Sequence, residues 1–175
     1  VKISLDIASS EWVNNGEYSM PKSGKKYSAD ELIAKWKGLI SSYPILSIED
    51  GLGEDDFSGW QRATKELGDK TIPVGDDLFV TNKKRLSYGI KNRIGNAILI
   101  KPNQIGTLSE ALEVIRLAKE KHYYTIISHR SGETDDFSIA DIGVGAGTEF
   151  IKSGAPCRMD RVTKYNRLLE IEANL

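Results

Sequence analysis

Short apolar runs, rich in β-branched residues, alternate with amphipathic stretches along the whole chain. The runs are Lys2–Asp6, Ile45–Glu49, Ile72–Asp76, Ala97–Lys101, Tyr123–Ser128 and Thr148–Lys152. Most are apolar throughout, which predicts strands buried on both faces. Between them, Ser28-Ala-Asp-Glu31 has the form of a capping box, in which hydroxyl and carboxylate satisfy free N–H groups reciprocally. It opens a helix with Leu32, Ile33, Trp36, Leu39 and Ile40 on one face. Ser58 with Gln61 opens a second helix carrying Trp60, Ala63 and Leu67, which Gly68 stops. Thr107 to Glu110 caps a third, with Leu108, Ala111, Leu112 and Ile115 inside. Further helices are predicted over 82–92, 135–144 and 159–173, the last with Val162, Tyr165, Leu168 and Leu169 facing in. The segment Ser9–Tyr27 reads as a long exposed loop, with Asn-Gly and Ser-Gly turn signals.

Strands alternating with helices predict an α/β protein with a parallel sheet. Two architectures fit: an open doubly wound sheet, and a (β/α)8 TIM-type barrel that is incomplete, with about six of the eight βα units. A full barrel needs about 250 residues, and this chain has 175. No Gly-rich dinucleotide loop follows the first run, which favours the barrel.

The ends of the runs carry the chemistry. Asp6, Glu49, Asp76, Lys101 and Lys152 each close a run, and His129 and Arg130 follow the remaining one at once. A charge at the end of a buried strand is costly unless it is paired. Within a parallel barrel all such ends meet at one rim, where the chemistry of these folds is done. Taken singly, each carboxylate is more often a helix cap or loop residue, and composition does not decide whether Asp76 or its neighbour Asp77 points inward. Repetition over successive strands carries the inference. Three converging carboxylates call for a hard divalent cation, Mg2+ before Ca2+ or Mn2+. A lysine held near a metal and a second cation can serve as a base near neutral pH.

Composition adds exclusions. The net charge of −1 gives no electrostatic footprint for nucleic acid, so direct binding to it is not expected. One cysteine, Cys157, excludes an internal disulfide and reads as a structural residue in a reducing compartment. No apolar run approaches the ~18 residues that span a bilayer.

SLDIASSEW (4–12), SIEDGLGEDDFSGW (47–60), VGDDLFVTN (74–82), LIKPNQIGTLSE (99–110), ISHRSGETDD (127–136) and IKSGAPCRMDRVTKYNRLLEIE (151–172) together resemble the enolase family, in its order and over nearly the whole chain. KPNQIGT and SHRSGET are the specific motifs; related families share the Asp/Glu/Asp set but not SHRSGET. The resemblance implies a glycolytic lyase, the reversible dehydration of 2-phosphoglycerate to phosphoenolpyruvate with Mg2+. It implies Asp6, Glu49 and Asp76 as metal ligands, which favours Asp76 over Asp77. Lys101 matches the general base, Lys152 a second catalytic lysine on the substrate carboxylate, and His129 a histidine on the leaving-group side. Arg130 and Ser131 match phosphate-binding residues, and Lys101, Lys152 and Glu49 also line the substrate. A lysine or histidine base acting with one or two Mg2+ ions is the superfamily's known solution.

The resemblance also implies a homo-oligomeric, cytoplasmic parent, with a secreted or cell-surface pool as in some family members. Residues 1–175 would be the C-terminal part of the catalytic barrel domain, without the N-terminal α+β domain, the first barrel strands and the general acid. An inactive barrel piece that keeps a metal and phosphate site as a binding module is the alternative expectation. Lys121-His122-Tyr123 stands where the family pattern has a small, glycine-containing turn.

Overall fold

The computed structural model describes all 175 residues. The strands β1 (Ile3–Asp6), β5 (Ile45–Glu49), β6 (Ile72–Gly75), β7 (Ala97–Ile100), β8 (Tyr124–Ser128) and β9 (Phe150–Lys152) form one parallel sheet in chain order. Three short strands, β2 (Val13–Asn14), β3 (Glu17–Ser19) and β4 (Lys26–Tyr27), form a separate antiparallel sheet. The helices are α1 (Ala29–Ser42), α2 (Phe57–Leu67), α3 (Lys83–Asn92), α4 (Pro102–Ile105), α5 (Leu108–Glu120), α6 (Ser138–Ala146) and α7 (Met159–Glu172).

The large sheet is an incomplete barrel. β1 and β9 are its unpaired edges, yet Lys152 on β9 reaches Asp6 on β1 at 2.9 Å, so the sheet curls until its edges face each other. Both faces of the central strands β5, β6 and β7 are covered, as their apolar runs predict, whereas β1 at the edge is mostly exposed. Val74, Ala97 and Leu99 cluster on one face with Ile72 and Ile126. Ile48, Ile98, Ile100 and Ile127 pack with helix residues such as Leu32, Trp36, Trp60, Val114 and Ile115 in the main core.

Several local expectations need correction. Residues 9–27 are exposed at both expected turns but are not all loop: they carry β2 to β4, and Tyr18 on β3 is wholly buried, donates to Asp56 Oδ2 (2.9 Å) and accepts from the Gly53 amide (3.0 Å). Asp56, and not Ser58, caps α2, its carboxylate accepting from the Gly59 amide. The inner face of α5 is Ala111, Val114, Ile115 and Ala118, whereas Leu108 and Leu112 are exposed. α6 starts at Ser138, not at Asp135. On α7 Leu169 is exposed, Val162, Tyr165 and Leu168 are half-buried, and the buried positions are the cations Arg161 and Lys164. Cys157 is exposed, so it packs in no core. The capping box at Ser28 and the cap at Thr107 form as expected.

Candidate active site at the strand ends

Register brings the marked acids side by side. Asp6 pairs with Glu49 across β1 and β5, and Glu49 with Val74 across β5 and β6, leaving Asp76 two residues beyond Val74 on the same rim. Lys152 Nζ donates to Asp6 Oδ2 (2.9 Å) and to both Glu49 oxygens (2.8 and 2.9 Å). Lys101 Nζ donates to Asp76 Oδ2 at 2.5 Å. Two ion-paired sets thus stand at the rim, Lys152 with Asp6 and Glu49, and Lys101 with Asp76; the first lines a cavity of about 480 Å3 together with Leu5, Ile126 and Ile151 among others.

Burial and charge tune these groups. Burial pushes the Glu49 carboxyl up, the Lys152 contact opposes it, and the charges of Asp6 and Asp76 push it further up. That response marks the three acids as sharing one field. Burial by itself lowers the Lys152 ammonium, but its bonds and charge contacts with Glu49 and Asp6 hold it above the ordinary lysine value.

A second carboxylate set overlaps the first. Oxygens of Asp50, Asp76 and Asp77 lie within 4.8 Å of one another, a group that could hold a metal ion. Asp50 is less suited to that work than its position suggests. Its two oxygens already accept the amides of Asp76 (3.0 Å) and Asp77 (2.9 Å). Burial foremost pushes its carboxyl up to about 7. Asp76 belongs to both sets, and its Oδ1 is buried with no hydrogen-bond partner. An oxygen in that state is suited to a cation.

The backbone beneath Lys101 is held as well. Thr81 is fully buried, accepts from the Lys101 amide (3.0 Å) and contacts Gln104 Oε1 (3.0 Å). Val80 and Thr81 both have left-handed backbone, φ 44° and 53°, an uncommon state for β-branched residues.

On the far side, His129 follows β8, and its amide donates to the Lys152 carbonyl (2.9 Å). Burial, then the charges of Arg161 and Lys152, hold its imidazolium below the ordinary histidine value, so the ring is neutral near pH 7. Arg130 Nη1 donates to Asn103 Oδ1 (3.3 Å), beside Lys101. Ser131 is exposed at the following turn. Sequence reasoning missed Asp50, Thr81, Arg161 and Lys164. All four act through backbone groups, and no spacing pattern announces that. The only signal was that Arg161 and Lys164 fall three apart on the helix face that should be apolar.

A sequence model described as the enolase C-terminal TIM barrel domain matches residues 1–175. The chain belongs to the enolase family. The enolase of Nitratiruptor sp. is 53% identical over 175 residues, covering 100% of this chain and 42% of that enolase. The enolase of Wolinella succinogenes is 52% identical and covered to 42%, and that of Helicobacter hepaticus 53% and 41%. The chain therefore spans about two fifths of the length of these enolases. A second cavity, about 470 Å3 between α2 and α3, is lined by Phe57, Leu78, Phe79, Lys84, Arg85 and Tyr88 and contains none of the marked enolase residues. No helix is long and apolar enough to cross a membrane.

Proposed function

We propose that this chain supplies the metal, base and phosphate side of an enolase active site, for the reversible Mg2+-dependent dehydration of 2-phosphoglycerate to phosphoenolpyruvate in the cytoplasm. The observation that carries the reading is that one rim holds two ion-paired sets, Lys152 with Asp6 and Glu49, and Lys101 with Asp76. The acids suit Mg2+ chemically: all are hard oxygen donors, Glu49 is buried among like charges, and Asp76 Oδ1 lacks a partner. Bound there, Mg2+ supplies a positive field for the negative charge that develops on the substrate carboxylate.

The chain's own residues divide the remaining work. Lys101, anchored through its amide by Thr81, takes the proton from carbon 2. Lys152, kept cationic by its acidic neighbours, binds the substrate carboxylate. Arg130 offers a planar fork to two phosphate oxygens, with the Ser131 hydroxyl beside it. Neutral His129 stands on the leaving-group side. The test is conversion of 2-phosphoglycerate, followed by the product's enol absorbance, by the full-length protein carrying this chain. Turnover that depends on Mg2+ and is lost in Glu49→Gln is expected. Unchanged turnover in that variant would overturn the reading and favour a binding module without catalysis.

A further inference from the structure

The proposed roles leave α7 without one, yet it carries two of the four buried charged residues in the molecule. Lys164 is 0% exposed and Arg161 8%. Lys164 Nζ donates to the carbonyls of Thr134 (2.7 Å) and Asp160 (2.6 Å) and pairs with Glu133 Oε2 (2.8 Å). Arg161 Nη1 donates to the Arg130 carbonyl (2.9 Å) and meets His129 Nδ1, while Nη2 donates to the Ser131 carbonyl (3.1 Å). Its Nε faces Asp160 Oδ2 at 3.3 Å. Glu133 in turn accepts the Arg130 amide at Oε1 (3.0 Å).

We infer that Arg161 and Lys164 are positioning residues, which lock residues 129–134 so that Arg130 and Ser131 face a substrate phosphate and His129 keeps its proton on Nε2. The inference rests on the phosphate role proposed above for Arg130 and Ser131.

Residues 129–134 lie in neither helix nor strand, so no ladder satisfies their carbonyls. Surface loops usually leave that to water. Here two cations on one helix meet the carbonyls of Arg130, Ser131 and Thr134, and the three N–H donors of Lys164 meet three acceptors. One guanidinium grips the carbonyls of two successive residues, which fixes the peptide between them and with it the direction in which Ser131 leaves the chain. The histidine follows by elimination. A guanidinium is always charged and cannot accept a hydrogen bond. The ring nitrogen facing it must accept, so the proton of the neutral ring sits on Nε2. The cations are offset by Glu133 and Asp160, but an apolar face on α7 would stabilise the fold at least as well. A conformational role explains why charges stand there.

The experiment uses the full-length protein with Arg161→Lys, which keeps the charge but puts a single nitrogen where two guanidinium nitrogens reach the carbonyls of Arg130 and Ser131 and the imidazole. KM and kcat for 2-phosphoglycerate, Mg2+ affinity, amide exchange of residues 129–134 and the ring 15N shifts of His129 are measured. We expect kcat/KM to fall about tenfold or more, mostly through KM, as loss of placement predicts. Mg2+ affinity should be unchanged, exchange in 129–134 should quicken, and the His129 tautomers should become mixed. If Arg161→Lys keeps the parent KM and the pure Nε2–H signature, the inference is wrong. A parent that does not turn over 2-phosphoglycerate would sink the proposed function instead, and exchange and 15N shifts would still decide the positioning. Lys164→Met gives an independent arm: faster exchange at Glu133 and Thr134 supports the lock, and parent-like exchange contradicts it.

Discussion

Lys152 on the last strand of the parallel sheet donates to Asp6 on the first, at 2.9 Å and across 146 residues of sequence. No ladder joins those two strands, so side chains alone connect the sheet's edges there. The same ammonium is the counter-ion of Glu49, whose side chain is 8% exposed against 49% for Asp6.

That difference in exposure ranks two substitutions. Removing one partner of a buried pair costs about 3–5 kcal/mol, and an exposed pair is worth about 0–1 kcal/mol. Lys152 is one third exposed, so Lys152→Met should lower unfolding stability by about 2 kcal/mol, with Glu49 left uncompensated. Asp6→Asn should cost under about 1 kcal/mol. Urea unfolding at pH 7 measures both, and equal costs would mean that Glu49 is not the partner that matters.

Asp50 sets where Asp76 begins. It is 3% exposed and caps two successive amides. Asp50→Ala leaves two donors without an acceptor at about 1–3 kcal/mol each. A total loss of about 2–6 kcal/mol is expected, with weakened Mg2+ affinity because Asp76 loses its backbone anchor. Chemical denaturation with a parallel metal titration checks both. Stability within about 0.5 kcal/mol of the parent would contradict the capping role.

Strand ends were legible because burial on both faces forces apolar runs, and a charge that ends such a run stands out. β5 begins and ends where its run does, at Ile45 and Glu49, and β1 and β9 also end on their charges, Asp6 and Lys152. β6 and β7 stop one residue short of Asp76 and Lys101, which have already turned into the loops. The antiparallel strands β2 to β4 were invisible because they span only two or three residues and rest on one buried ring, Tyr18. The buried cations of α7 were not legible for a different reason. A sequence pattern assigns Arg161 and Lys164 to solvent, and only the loop packed against them supplies the acceptors that let them be buried.

Lys101→Ala separates proton transfer from metal binding. Lys101 Nζ occupies Asp76 Oδ2, so its removal frees that oxygen while leaving Asp6 and Glu49 with Lys152. Turnover of 2-phosphoglycerate should fall by at least about 100-fold, the usual range for a lost base. Mg2+ affinity should hold or rise. Calorimetric loss of Mg2+ binding would show that Lys101 organises the carboxylates instead of acting as the base.

His122 closes α5 with left-handed backbone at φ 60°. A non-glycine residue in that region costs about 1–2 kcal/mol, and glycine's extra freedom in the unfolded chain offsets about 0.5–1 kcal/mol of any gain. His122 is exposed, so no side-chain packing is lost on replacement. His122→Gly should therefore raise stability by about 0.5–1 kcal/mol, with activity unchanged. A thermal melt showing a lower midpoint would mean that the imidazole makes contacts that stabilise the turn.

Acid should release the loop at 129–134. Burial pushes the Glu133 carboxyl up, but the Lys164 bond, the Arg130 amide and the nearby cations outweigh it and hold the carboxyl below the ordinary glutamate value. A folded-state value below the unfolded one means that the stabilisation is present above about pH 4.3 and is lost as pH falls through the lower, folded value. Glu133→Gln leaves Lys164, fully buried, without its counter-charge, at about 3 kcal/mol near pH 7. The gap between parent and variant should narrow steadily below pH 4.3, because the parent's Glu133 then becomes neutral too. Urea unfolding at a series of pH values from 3 to 7 measures that gap, and amide exchange of residues 129–134 reports the local release. A gap that stays constant across the series would show that the Glu133 carboxylate does not hold the buried ammonium in place.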